Sequence, residues 1–145
     1  MSYASMRNPS ALYRQTKAQG SLEGADRHQL IAMLLDGLVE RIAQARGHIL
    51  HKDMPAKGQS FAKAIGILNE LRASLDHSVE PVLTGRLDSL YDYITRRLLH
   101  AQLNDDLRAL DESERLIAPI RQAWHAIREE FLADPALNQP RAVMP

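Results

Sequence analysis

The sequence contains no cysteine, and this absence excludes several kinds of site at once. Without a thiol the chain can form no disulfide framework, no thiolate metal site and no cysteine nucleophile. Aromatic residues make up only 5% of the 145 residues, whereas leucine, isoleucine and alanine are abundant. A core of branched aliphatic side chains and alanine suits the packing of helices better than that of sheets. The composition therefore favours an all-α protein.

The chain also lacks an excess of charge of either sign, because its 18 basic residues balance its 18 acidic ones. Nucleic acids and anionic membranes attract proteins mainly through surplus positive charge, so we predict neither as a partner. The longest apolar run, residues 30–35, is far shorter than the roughly 20 residues of a membrane span. No secretory apolar segment opens the chain. We therefore expect a cytoplasmic protein without membrane insertion.

Proline, glycine and charged residues divide the chain into three predicted parts. Residues 1–25 are polar and carry one proline and two glycines, so we expect a mobile N-terminal arm or a short extra helix of one or two turns. Residues 26–134 form the predicted helical domain. The sequence Asp134-Pro135 ends it, since proline disfavours a helical conformation at the residue before it. Residues 135–145 are expected to form a disordered tail.

Four helices are predicted within residues 26–134, and no run alternates with the period of two that a strand requires. Their predicted starts carry capping residues or proline, namely Asp26, Asp53 with Pro55, Pro81 and Asn104. The first three are expected to end near Leu50, Asp76 and Leu103. The short connections indicate an antiparallel, up-down four-helix bundle.

Apolar residues of the predicted helices fall on stripes when each helix is projected at about 100° per residue. The stripes of the second and fourth helices are roughly 80° and 100° wide, as expected for helices with one buried face. The apolar residues of the first helix spread over roughly 200°. The third helix has a tight stripe but carries Tyr93, Leu99 and Leu103 outside it. The first and third helices thus have more apolar surface than a four-helix bundle needs, and something else should cover it.

Pro119 conflicts with the pattern of the fourth helix, because proline removes a backbone hydrogen bond from a helix interior. The residue projects away from the apolar stripe, so one outcome is a bend with its convex side towards solvent. The other outcome is a break into two shorter helices.

The sequence carries none of the motifs that would indicate an enzyme. No Glu-x-x-His pair, Gly-rich phosphate loop or Gly-x-Ser-x-Gly turn occurs, so we predict no catalysis and no cofactor. His48, His51 and Asp53 are close in sequence and could bind a metal weakly. A structural site usually needs four ligands, and cationic side chains are favoured at a helix C-terminus in any case. We therefore predict no metal site.

Several stretches match, in order and spacing, the motifs of one known family. They are ADRHQLIAMLLDG at 25–37, AKG at 56–58 with KAI at 63–65, LYDYITRRLL at 90–99, NDD at 104–106 and AW at 123–124. The sequence resembles the flagellar secretion chaperones of the FliS family over roughly residues 11 to 130. It departs from the family pattern at Leu35, where an aromatic is usual, at Asp26-Arg27, which replaces Ser-Pro, and at Pro119.

The resemblance implies a specific function. Family members bind the C-terminal segment of newly made flagellin, which is disordered in the monomer. They prevent its premature polymerisation in the cytoplasm and pass it to the flagellar export gate. In that family the N-terminal arm, with a tyrosine matching Tyr13, covers part of the client surface when no client is bound.

The surplus apolar surface suits such a client, because an amphipathic segment can fold into an apolar groove. Leu35, Val39, Tyr93 and Leu99 are expected to line the surface, since they are apolar yet lie off the tightest stripes. Leu12 and Tyr13 of the arm would shield it. The alternative is a homodimeric helical module with a regulatory role, in which the same surface pairs two copies. We expect a monomer or a weak homodimer.

Overall fold

A computed structural model of the chain describes residues 26–133, apart from the side chains of residues 129 and 131. Within these residues the chain forms four helices and no strand. They are α1 (Arg27–Leu50), α2 (Met54–Ala73), α3 (Pro81–Asn104) and α4 (Leu107–Ala133). The predicted all-α class is therefore confirmed. The predicted N-terminal arm, with Leu12 and Tyr13, and the predicted tail lie outside the described residues.

The first two helices start at the predicted capping residues. The Asp26 carboxylate accepts a hydrogen bond from the backbone N–H of Gln29 at 2.8 Å. Asp53 accepts in the same way from the N–H of Ala56 at 3.2 Å. Each carboxylate satisfies an amide that has no partner within its helix and places negative charge at the positive end of the helix dipole. The predicted role of both residues is confirmed.

The junction between α3 and α4 differs from the prediction, because Asn104 does not cap the fourth helix. Asn104 is the last residue of α3, and Asp105 then adopts a left-handed conformation with φ 48° and ψ 44°. The carboxylate of Asp106 accepts hydrogen bonds from the N–H groups of Arg108 and Ala109, at 3.0 and 3.3 Å. The prediction was wrong by two residues, because three adjacent residues could each cap a helix and only the backbone turn distinguishes them.

Two further helix boundaries clarify the sequence pattern. Helix α2 ends at Ala73, three residues before the predicted end at Asp76, whose carboxylate instead accepts from the N–H of Ser78 in the following turn. Helix α4 runs without a break through Pro119, which lies exposed on its outer side. The predicted alternative of two shorter helices is therefore wrong. The missing hydrogen bond lies on the solvent side, where proline is best tolerated.

The four helices pack in a square, so that each contacts two neighbours. Helix α1 packs against α2 and α4, and α3 packs against the same two helices from the opposite side. Arg27 at the start of α1 donates to the backbone oxygen of Ser74 just after α2, which shows that these two helices are antiparallel. The predicted up-down bundle is confirmed, and α1 and α3 are diagonal to each other rather than adjacent.

The core contains aliphatic side chains from all four helices, with Phe61 and Tyr91 as its buried aromatic residues among those described. Burial raises the pKa of Tyr91 to about 12, so its phenol stays protonated at physiological pH. The large side chains that are completely buried are Leu35, Leu38, Ile42, Phe61, Leu68, Leu71, Ile94, Leu98, Leu110 and Ile117. This aliphatic core is what the scarcity of aromatic residues predicted.

The core packing predicts that truncating two leucines of α3 to alanine lowers the free energy of unfolding by very different amounts. Leu98 is completely buried, whereas Leu103 is 83% exposed. We expect Leu98→Ala to lower the free energy of unfolding by about 2 to 5 kcal/mol, since it leaves a cavity. The control Leu103→Ala should change it by less than about 0.5 kcal/mol. Urea denaturation followed by circular dichroism measures both, and equal effects would contradict the assigned core.

Candidate binding surface

Large apolar side chains are exposed near both ends of the bundle. We call the end with the start of α1 and the end of α4 the clasp end, and the other the turn end. Near the clasp end the exposed residues are Met33, Val79, Val82, Leu83, Ile127 and Leu132. Near the turn end they are Leu50, Met54, Leu99 and Leu103. Clustered apolar side chains of this kind mark candidate interaction surfaces.

Towards the clasp end the core is incompletely covered by the described residues. Tyr93 and Arg97 of α3 both bond Glu112 of α4, which sets the register of the two antiparallel helices. This register places Leu83 within about one helical turn of the level of Ile127. When the helices are projected at about 100° per residue, Leu83 and Ile127 both fall within the apolar stripes of their helices, yet they are 53% and 43% exposed. Side chains that project towards the core therefore remain accessible there.

A second apolar surface flanks the seam between α2 and α3. Its position is set by Arg72 of α2, which donates to Asp88 at 2.8 Å and to Asp92 at 3.3 Å on α3. Residues spaced by three or four share one side of a helix, so Leu99 and Leu103 lie on the same side of α3 as Asp92. By the same spacing Gly58, Ala62 and Ile65 lie on the side of α2 that carries Arg72. We call the set of Gly58, Ala62, Ile65, Leu99 and Leu103 the α2–α3 groove.

The α2–α3 groove has small residues on one wall and leucines on the other. Lys57 reaches from α2 to Asp105 at 2.7 Å, and this register puts Leu103 at about the level of Gly58 and Leu99 at about that of Ala62. A Cβ atom added to Gly58 would have open space around it. Leu99 is 44% exposed, and Ala62 is also exposed. An apolar side chain from another molecule can therefore approach the α2 backbone between the two helices.

The predicted surface residues do not come together. Leu35 is completely buried in the core, so its predicted place on the surface is wrong. Val39 is half-buried on α1, which is diagonal to α3. Tyr93 is half-buried and donates to Glu112 of α4 at 2.6 Å. Leu99 lies six residues further along α3, about 120° around the helix, and faces the α2 side.

Sequence reasoning missed the small residues of the groove. The spacing of Gly58, Ala62 and Ile65 by four and three residues is visible in the sequence, but Ile65 also fits the core stripe of α2. Leu103 lies outside the apolar stripe of its helix, but periodicity alone does not assign it to a surface. The missing information was the pairing of α2 with α3, because a helical projection does not show which helices are neighbours.

At the clasp end, the beginning of α1 is held to the last part of α4 by reciprocal contacts. The His28 ring stacks on the Trp124 indole with 4.6 Å between ring centroids. Trp124 Nε1 donates to the backbone oxygen of His28 at 2.9 Å, and His28 Nε2 donates to that of Trp124 at 2.7 Å. Asp26 accepts two hydrogen bonds from one nitrogen of Arg128, at 2.5 and 2.6 Å. We call these four residues the clasp.

Ionisable groups of the clasp have shifted pKa values. Burial lowers the pKa of His28, and the hydrogen bond to the Trp124 backbone only partly opposes this. Burial would raise the pKa of Asp26, but the hydrogen bonds from Arg128 and the Gln29 amide outweigh it and keep the pKa below its ordinary value. Next to the clasp, His125 and Arg121 lower the pKa of Asp36 in the same way.

The residues considered as weak metal ligands make local contacts instead. His48 Nδ1 lies 3.1 Å from the Ser60 hydroxyl, and His51 Nδ1 donates to the backbone oxygen of Gly47 at 2.8 Å. Asp53 caps α2. Residues 26–133 contain no group of three or more potential ligands that could hold a metal ion. None of the four helices combines the length and apolarity needed to cross a bilayer.

Comparison with known proteins agrees with the motif pattern. A sequence model of the family described as flagellar protein FliS matches residues 9–130. The flagellar secretion chaperone FliS of Salmonella typhimurium is 40% identical over 116 residues, which cover 79% of this chain and 86% of that protein. FliSB of Pseudomonas aeruginosa is 38% identical over 115 residues, covering 79% and 91%. FliS of Escherichia coli is 38% identical over 128 residues, covering 88% and 91%.

The buried histidine of the clasp predicts a pH dependence of stability. The pKa of His28 is lower in the folded protein than in the unfolded chain. The stability that the neutral ring contributes is therefore fully present above about pH 6.5 and is lost as the pH falls through the folded-state pKa. We expect His28→Phe, which keeps an aromatic ring against Trp124, to reduce the loss of unfolding free energy between about pH 7.5 and 5.5. Denaturation series at several pH values measure the slopes, and identical slopes for the two proteins would contradict this role of His28.

Proposed function

This chain belongs to the FliS family, and from that premise we propose that it is an export chaperone that binds the disordered C-terminal segment of flagellin. Its relatives are named flagellar secretion chaperones and cover most of its length. In the proposed role the chaperone acts in the cytoplasm, prevents premature polymerisation of flagellin and delivers it to the flagellar export gate. The role requires binding and release rather than catalysis.

The single observation that carries the proposal is the apolar surface left outside the bundle. The α2–α3 groove offers accessible leucines beside small residues, including Leu103 with 83% of its surface exposed. A helix that lays apolar side chains at spacings of three and four residues into such a groove removes both surfaces from water. A client that is disordered when free can fold as it enters the groove, at a cost in conformational entropy.

The exposed apolar groups lie on more than one face, which favours an extended client over a single short helix. Leu83 and Ile127 at the clasp end are separated from Leu103 by most of the length of α3. A client that occupies both places must run along or around the bundle. Val39 and Tyr93 remain predicted client contacts on other faces. Leu12 and Tyr13 remain the predicted shield of the empty surface.

The proposal predicts that two leucines of the α2–α3 groove are needed for binding. We expect the double variant Leu99→Asp/Leu103→Asp to weaken binding of a cognate flagellin C-terminal peptide by about tenfold or more, since buried carboxylates would face an apolar client. The control Leu50→Asp/Met54→Asp changes two exposed apolar residues outside the groove and should bind nearly as the wild type does. Calorimetry gives the affinities, and circular dichroism checks that helicity is kept.

Wild-type binding should also show a negative heat-capacity change, because apolar area is buried. Absence of heat at concentrations of about tens of micromolar would contradict flagellin binding. Light scattering that finds a stable dimer indifferent to the peptide would favour the homodimeric module instead. If the groove variant and the control lose affinity for the peptide equally, flagellin binding would still be supported. The assignment of the α2–α3 groove as its site would be contradicted.

A further inference from the structure

We propose that the outer face of the α3–α4 pair is a second binding surface, and that its partner is a carboxylate-rich segment of another protein. The face consists of Arg86 and Arg97 of α3 with Arg108 and Arg115 of α4, and we call it the arginine face. It is distinct from the α2–α3 groove, because it flanks the other side of α3. The inference goes beyond flagellin binding and does not require it.

Contacts across the α3–α4 seam locate the arginine face. Glu112 of α4 accepts from the Tyr93 hydroxyl at 2.6 Å and from Arg97 Nε at 2.7 Å. Arg108 and Arg115 stand four residues before and three after Glu112, so they share its side of α4. Arg86 stands seven residues before Tyr93 and shares its side of α3. The two rows of arginines therefore flank one seam on its solvent side.

Positive charge is concentrated on this face although the whole chain is neutral. The carboxylate that bonds an arginine of this face is Glu112, which accepts from Arg97 at 2.7 Å. Asp111 is close in sequence but turns towards α1, where it meets Arg46 at 2.6 Å. Within the described residues, the four arginines of the face thus have one carboxylate, Glu112, bonded to them. Charge of one sign on one face attracts a partner of the opposite sign.

The side chains of three of the arginines are not engaged by hydrogen bonds or close ion pairs in the described part of the chain. Arg86, Arg108 and Arg115 are exposed, and none of their guanidinium groups bonds a residue of 26–133, although Arg115 acts electrostatically on Glu112 and helps to lower the pKa of that carboxyl. Arg108 occupies the first turn of α4, where the helix dipole disfavours positive charge. Its side chain therefore stands where the helix dipole disfavours it, although Asp111 and Glu112 follow it by three and four residues. Such a local conflict is expected where a residue serves binding.

The type of cation indicates carboxylates as the ligand. Every basic residue of the face is arginine, whereas Lys52, Lys57 and Lys63 lie on α2 or in the turn before it. A guanidinium group binds a carboxylate through two parallel hydrogen bonds. Nucleic acid and anionic membranes require broader positive surfaces, and three unpaired arginines would neutralise only about three phosphates. A protein segment with a few spaced carboxylates fits the face better.

The spacing of the arginines defines a probe. Arg108 and Arg115 are seven residues apart, or about 10 Å along the helix axis. A fluorescein-labelled helical peptide with glutamate at every third or fourth position presents carboxylates at similar distances, and the same peptide with glutamine is its neutral counterpart. Fluorescence anisotropy at about 50 mM and 200 mM salt should show binding of the glutamate peptide alone, weaker at the higher salt.

The double variant Arg108→Glu/Arg115→Glu should lose at least about tenfold in affinity for the glutamate peptide. Arg108→Glu suits the start of α4, but both new glutamates lie three or four residues from Asp111 and Glu112, so circular dichroism should show that the variant keeps the wild-type helicity. The control Lys52→Glu/Lys63→Glu changes the net charge equally and should bind within about twofold of the wild type. Both variants should bind the flagellin peptide as the wild type does.

Four results would overturn the proposal. Equal binding of the glutamine peptide would exclude carboxylate recognition. An equal loss of affinity in the lysine control would show that binding depends on the net charge of the protein and not on the arginine face. Tighter binding of a single-stranded oligonucleotide or of phosphatidylglycerol vesicles through the same arginines would assign the face to another class of partner. Loss of the flagellin peptide from the arginine variant would make the face part of the client surface rather than a second one.

Discussion

The arrangement of four amphipathic helices in a square, each packed against two neighbours, is the constraint on which the rest of the structure depends. It decides which apolar side chains enter the core and which remain outside. Leu35 on the wide apolar face of α1 is covered on all sides, whereas Leu99 and Leu103 on α3 face outwards beside α2. Burial of apolar area stabilises the bundle, and the side chains that this geometry cannot cover become available to a partner.

The same arrangement gives different surfaces to different pairs of helices. The α2–α3 seam carries an apolar groove, the α3–α4 seam carries the arginine face, and α1 and α4 are joined by the clasp of Asp26, His28, Trp124 and Arg128. Helix α3 thus has an apolar outer wall on one side and a cationic one on the other. A chaperone that must hold an apolar client and also contact other proteins can separate the two kinds of interaction in this way.

Much of the fold could be predicted from the sequence, because helix starts are local. Asp26, Asp53 and Pro81 stand at helix starts as predicted, whereas Asn104 does not, since a left-handed residue at Asp105 moves the cap to Asp106. The surface was harder to predict. Periodicity gives the direction of a side chain within its own helix, but Leu35 and Leu99 differ in burial because of which helices lie beside them. The clasp joins residues about a hundred positions apart, so no short pattern in the sequence indicates it.

The central claim is that the groove beside α2 is where a flagellin segment replaces water, and nuclear magnetic resonance of methyl-labelled leucines tests it most directly. On titration with the flagellin C-terminal peptide, the methyl signals of Leu99 and Leu103 should shift and show contacts to peptide protons, while those of the buried Leu68 should move little. Saturated binding that leaves the Leu99 and Leu103 signals unchanged would contradict the account.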